Sequence, residues 1–235
     1  MKKIVVILIL IISAVSYSQT DLKSLKDEGS SLKNIIPNNW KILESKKGDL
    51  NDDGIPDLVF AIQNTDTSNI KLNKAGVGSD TLDLNPRTLG IYFGKKNGTY
   101  KKTLISKQFI ILKDSPTLEE PFSGLEIDKN GTLEIDFRIF YNAGSWNMSN
   151  HRYKFKYQNK QFVLIDYQSN ETNRASGKTS EYSINFLTQK IKISKGNISK
   201  DFPESVNWKK FKLNKNMTLM NIGKPLETEL EGIQL

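Results

Sequence analysis

Cysteine is missing from the 235 residues, and histidine occurs once, at His151. The first absence excludes disulfides, thiol nucleophiles, zinc–thiolate sites and a lipidated N-terminal cysteine together. The second excludes a histidine-based metal centre. A lone imidazole can still act as a general base, but beside a hairpin strand His151 reads as a surface residue. Nucleophile-elbow, phosphate-loop, zinc-protease and kinase signatures are also lacking. The acidic pair Glu119-Glu120 would need a distant carboxylate about 5–10 Å away to cleave a glycosidic bond, and no partner stands out.

Long apolar runs are scarce too. Ile4 to Ile12 is nine residues, short of the ~18–20 that span a bilayer. Lys2 and Lys3 precede it and small residues follow as far as Ser18, so residues 1–18 read as a secretory signal cut near Ser18/Gln19. The expectation is an exported chain, periplasmic or extracellular, with no transmembrane segment after cleavage. A membrane anchor is the alternative.

The formal charge is +8, but the basic residues are not gathered as a nucleic-acid site requires. Arg152-Tyr153-Lys154-Phe155-Lys156-Tyr157 alternates, so the aromatics face inward and the cations form a solvated strand face. Trp208-Lys209-Lys210-Phe211-Lys212 could suit an acidic surface, with a solvated face again the plainer reading. No nucleic-acid partner is expected.

What the chain does have is an acidic loop, Gly48-Asp49-Leu50-Asn51-Asp52-Asp53-Gly54-Ile55-Pro56-Asp57, running into the apolar stretch Leu58 to Ile62. Asp49, Asn51, Asp53 and Asp57 fall at positions 1, 3, 5 and 9 of a calcium-loop pattern. Gly54 takes position 6, where the turn needs positive φ. The Ile55 carbonyl stands at position 7. Calcium takes about 6–8 oxygens, which alternating carboxylates in a tight loop supply. An EF-hand would carry Glu at position 12 and continue as a helix. Here that place is Phe60, inside a strand-length run. The alternative is an Asx-rich surface turn that binds nothing.

Further along lies Leu89-Gly90-Ile91-Tyr92-Phe93-Gly94-Lys95-Lys96-Asn97-Gly98-Thr99-Tyr100. An acidic loop, a strand, then a Phe-Gly turn with a Gly-Thr-Tyr hairpin, in that order, resembles the FG-GAP (VCBS-like) repeat, the blade unit of integrin-α-type β-propellers. The resemblance covers roughly residues 48–105. It implies a blade-like sheet, a calcium ion in the loop, and ligand or partner binding; the unit also recurs as an accessory in enzymes.

The rest of the chain is predicted to be mainly β, with antiparallel hairpins and meanders arranged blade-like or as a sandwich, after a short N-terminal helical segment. Residues 19–39 should form one or two short helices or a linker ended by Pro37. Residues 40–200 make the β domain: a strand from Trp40, a long polar loop over Gln63 to Arg87, and a hairpin at Asn97-Gly98. Further hairpins are expected around Lys129-Asn130-Gly131, Gln158 to Gln161 and Thr188. The Gly144-Ser145-Trp146 turn is expected at a rim unless Trp146 folds into the core. Residues 201–235 should pack back on the sheet, with Glu227 to Leu235 weakly ordered. Two functions fit: a calcium-stabilised module binding an unknown protein or glycan ligand, or a hydrolase of envelope polymer using the loop as scaffold.

Overall fold

The structure, a computed structural model, describes residues 25–235. The expected signal and its cleavage point, and residues 19–24 of the expected N-terminal segment, lie outside the described residues. In chain order the elements are β1 (Glu28–Gly29), α1 (Leu32–Ile35), β2 (Trp40–Gly48), β3 (Asp57–Asn64), β4 (Ile70–Leu72), β5 (Thr81–Asp83), β6 (Arg87–Gly94), β7 (Tyr100–Ser106), β8 (Phe122–Ile127), β9 (Thr132–Phe140), β10 (Asn147–Gln158), β11 (Gln161–Asn173), β12 (Lys178–Asn185), β13 (Lys190–Asn197), β14 (Ser205–Lys210), β15 (Glu229–Leu230) and β16 (Ile233–Gln234). The fold is mainly β with antiparallel pairing, as the hairpin signals lead one to expect.

Two sheets carry it. The first has the order β1-β7-β6-β3-β2, so β2, β3, β6 and β7 form a four-stranded antiparallel meander. The second is a seven-stranded meander, β8 to β14. Val59, Ala61, Leu89 and Ile91 of the first sheet share one core with Leu133, Ile135, Phe137, Tyr153 and Phe155 of the second. The two sheets therefore pack as layers over a common interior. Phe109, in the segment after β7, fills that interior: its ring meets Phe137, Tyr153 and Phe155 edge-on at centroid distances of 6.1, 5.2 and 5.3 Å.

Strand β3 is buried along its whole length, which explains its unbroken apolar run. Its other face, Leu58, Phe60 and Ile62 with Tyr92, packs under Leu25, Ile35 and Ile36 of the N-terminal segment. Phe60 lies directly over Gly90, where a Cβ would strike its ring. The N-terminal segment thus supplies a lid, built from one four-residue helix and a strand pairing β7. The sheets are also tied at an edge: a bulge in β2 between Ile42 and Glu44 frees Glu44 to accept the Leu125 N–H of β8 at 2.8 Å.

Two expectations are corrected. Residues 63–87 are not a structureless loop: Gln63 and Asn64 belong to β3, and β4 pairs β5. Buried Asn85 organises this excursion by receiving the Asn69 side-chain amide and donating to the Asp66 carbonyl. Nor is the C-terminus loose. β15 and β16 form a hairpin, Ile233 and Leu235 are buried, and apolar docking outweighs the short length of the strands. Residues 205–210 extend the large sheet itself as β14.

Candidate functional site

The acidic loop closes the β2–β3 hairpin, whose last register pair is Gly48 with Asp57. Asp52 and Gly54 take positive φ, 59° and 78°; the first suits Asp and the second is what glycine supplies without cost. Asp49 sits at the hub. Its Oδ1 accepts the N–H groups of Asn51 and Asp53, both at 3.2 Å, and its Oδ2 accepts Gly54 N–H at 2.7 Å. Asp53 accepts Ile55 N–H at 2.8 Å, and the Asn51 side-chain nitrogen lies 3.0 Å from Asp53 Oδ2. Ile55 is half-buried with its side chain against Gly94. Among the described residues no hydrogen bond reaches the Ile55 carbonyl.

Asp57 differs from the others in being fully buried. It accepts Leu50 N–H at 2.9 Å and Gly94 N–H at 2.8 Å, one on each oxygen. Burial pushes its carboxyl up to about 6, against the pull of those two amides, and the charges of Asp53 and Asp49 push it further the same way. The loop thus brings Asp49, Asn51, Asp53 and Asp57 into one hydrogen-bonded turn. Backbone amides supply most of the positive charge they meet. Among the described residues no three Asp, Glu, His or Cys side chains gather into a metal cluster of their own, so a cation here would also need Asn51 and the Ile55 carbonyl. Asp52 points away, 3.4 Å from Lys156 on β10.

The other residues singled out by type fall elsewhere. His151 is buried at 6% exposure, not on the surface. Its position on β10 faces inward, and both ring nitrogens find partners: Tyr167 Oη at 2.8 Å and Ser149 Oγ at 2.7 Å. Tyr167 donates onward to the Gln234 carbonyl at 2.9 Å, so His151 buttresses the C-terminal hairpin, and burial lowers its pKa to about 4. Glu120 receives both arms of buried Arg87, at 2.5 and 2.8 Å. Burial alone would raise its pKa, but Arg87 holds it below the usual carboxylate range. It serves as an ion-pair strut. The Asp128-Asn130 turn is a plain hairpin, Asp128 accepting the N–H groups of Asn130 and Thr132. Trp146 is exposed in the turn just before β10.

A polar groove of about 590 Å³ runs over the seven-stranded sheet, on the face turned from the shared core. Residue types alone did not reveal it. Its residues lie on six strands, β8 to β13, and are individually ordinary; only the alternation of β9 and β10, with Asp136 and Arg152 opposite the core positions, marked that face as polar. Asp136 and Arg152 form a two-pronged ion pair, both contacts 2.8 Å. Glu181 is the other carboxylate in the groove, three strands from Asp136, or about 14 Å between backbones. Asp136 turns to Arg152, so the two acids do not make a converging pair.

Among the described residues no helix is long and apolar enough to cross a membrane. Set against family models, curated proteins and solved structures, the chain matches none.

Proposed function

We propose that this chain is an exported, calcium-stabilised β-domain of FG-GAP type that acts as a binding module. The observation that carries the reading is Asp57, a fully buried carboxylate at the end of a loop that also gathers Asp49, Asn51 and Asp53; burial and these acidic neighbours raise its pKa. Such a group calls for a proton or a cation. Asp49, Asn51, Asp53, Asp57 and the Ile55 carbonyl would hold Ca²⁺, which would supply the positive charge that removes their mutual repulsion. Asp49 is already shaped for it, its Oδ2 fixed by Gly54 N–H in the sharp turn.

A binding role, with a protein or glycan as ligand, is favoured over hydrolysis by the acids themselves. Glu120 and Asp136 are each spent on an arginine, and His151 is enclosed. Export places the loop where calcium is millimolar, enough for sites of about 10⁻⁴–10⁻³ M affinity. Titration calorimetry of calcium into chelator-treated protein tests the reading. One ion per chain, bound more tightly than Mg²⁺, is the expected result; no uptake, or uptake unchanged in Asp53→Ala, overturns it.

A further inference from the structure

The groove on the large sheet lies on a face that the register defines strand by strand. Trp208, Lys192, Ser183, Gln168, Arg152 and Asp136 are successive partners across β14 to β9, and directly paired residues share a face. The row crosses five strand spacings, about 24 Å. Beside it runs a second row, Val206, Ser194, Glu181, Asn170, Asn150 and Arg138. A smaller cavity of about 240 Å³ at the β13–β14 connection shares Glu181 and Ser194 with the groove and prolongs it.

Three properties fix the chemistry of a ligand. First, the groove is electrically balanced: Arg152 is neutralised by Asp136, and Lys192 stands diagonal to Glu181 on the same face. A phosphate or polyanion seated in the groove would meet two carboxylates for its two cations, since Arg138 of the second row stands over Phe140 outside the lining. Second, its polar groups are amides and hydroxyls. Gln168 donates to Asp166 at 2.9 Å, whereas Asn150, Asn170, Ser183 and Ser194 make no side-chain hydrogen bond among the described residues. Amides and hydroxyls both donate and accept, which is what a ligand made of hydroxyl groups requires. Third, one end carries an exposed aromatic platform, Trp208 at 65% exposure with Val206 beside it. An indole face left in water beside a polar groove suits the C–H face of a pyranose ring, which is apolar in the middle and polar at its edge.

We propose that this face binds a neutral oligosaccharide several pyranose units long, with Trp208 stacking on one ring and Gln168, Asn170 and Glu181 taking hydroxyls along the groove. The proposal rests on the reading of the chain as a binding module and names its ligand class, but it does not depend on the loop holding calcium.

The test titrates cellohexaose, xylohexaose and chitohexaose, with dextran sulfate as the charged comparison, into calcium-loaded protein while tryptophan emission and amide NMR shifts are followed. At least one neutral hexasaccharide should bind at millimolar concentration or tighter and perturb Trp208 and the β11–β12 amides, with little change in added salt. Trp208→Ala and Gln168→Ala, both at exposed positions that leave the core intact, should each weaken it about tenfold or more, and Trp146→Ala should not. Binding of none of the three sugars, binding that the two variants leave unchanged, or salt-sensitive binding of dextran sulfate alone overturns the proposal. The calcium titration stands apart: calcium uptake without sugar binding sinks only this inference, and sugar binding without calcium uptake sinks only the metal reading.

Discussion

The backbone N–H of Gly94 donates to Oδ1 of Asp57 at 2.8 Å, joining the end of β6 to the end of the acidic loop. Asp57 is held from the other side by Leu50, so the loop is clipped to the sheet through one buried carboxylate. The Phe-Gly turn and the acidic loop, more than thirty residues apart in sequence, therefore form a single structural unit. Phe93 meanwhile packs edge-on against Tyr157 of the second sheet, 4.9 Å between ring centres.

Gly94→Ala should break that unit. A Cβ there would meet the Pro56 carbonyl and the Ile55 side chain, so either β6 or the loop must shift. A loss of about 1–3 kcal/mol is expected from overpacking, read by urea unfolding, together with a weaker response to calcium. A variant as stable and as calcium-responsive as the parent would separate Gly94 from the loop.

The pH dependence follows from two buried groups of opposite sign. Asp57 has a folded pKa raised to about 6 from 3.8, so its contribution is present below about 4 and lost as pH rises through 6. His151 has a folded pKa lowered to about 4 from 6.5, so its contribution is present above 6.5 and lost as pH falls through 4. Each is worth on the order of 3 kcal/mol. In chelator the two should nearly cancel between pH 4 and 6. With excess calcium Asp57 stays ionised and paired, and stability should rise over that window through His151 alone. His151→Gln should flatten the rise; a slope in calcium that survives this substitution contradicts the assignment.

Neighbouring acids of the loop should behave differently. Asp53→Ala should remove most of the calcium-dependent stability, because Asp53 fixes Ile55 and stands beside Asn51. Asp52→Asn should keep it and cost under about 1 kcal/mol, since the exposed pair with Lys156 is worth little. Asn is chosen because Asp52 has positive φ, which Asn tolerates and Ala resists. Calorimetric titration of both variants decides between them.

Phe109→Ala should be among the most damaging core changes, about 3–5 kcal/mol, because its ring closes the space between the sheets. Denaturant midpoints measure it. A small loss would mean that the core collapses around the gap.

Much of the fold was legible because strand alternation is a local signal. Leu133, Ile135 and Phe137 face the core as their spacing demands, and Asn97-Gly98 turns the chain where a hairpin turn was expected. What was not legible depended on partners distant in sequence. His151 looked like a surface residue because Tyr167, which satisfies one ring nitrogen, lies on another strand, and the Gln234 carbonyl behind it lies farther still. Leu235 looked loose because nothing local shows that its side chain reaches the core. The loop residues were legible as a set, since Asp49, Asn51, Asp53 and Gly54 bond to one another. The burial of Asp57 was not, because it depends on Gly94.

The most direct test of the account is a pair of thermal melts at pH 7, one in excess calcium and one in chelator. Calcium at a hundredfold over its dissociation constant should stabilise the chain by about 2.7 kcal/mol, with a clearly higher midpoint that Asp53→Ala abolishes. Identical midpoints in calcium and chelator would show that the acidic loop is a turn and nothing more.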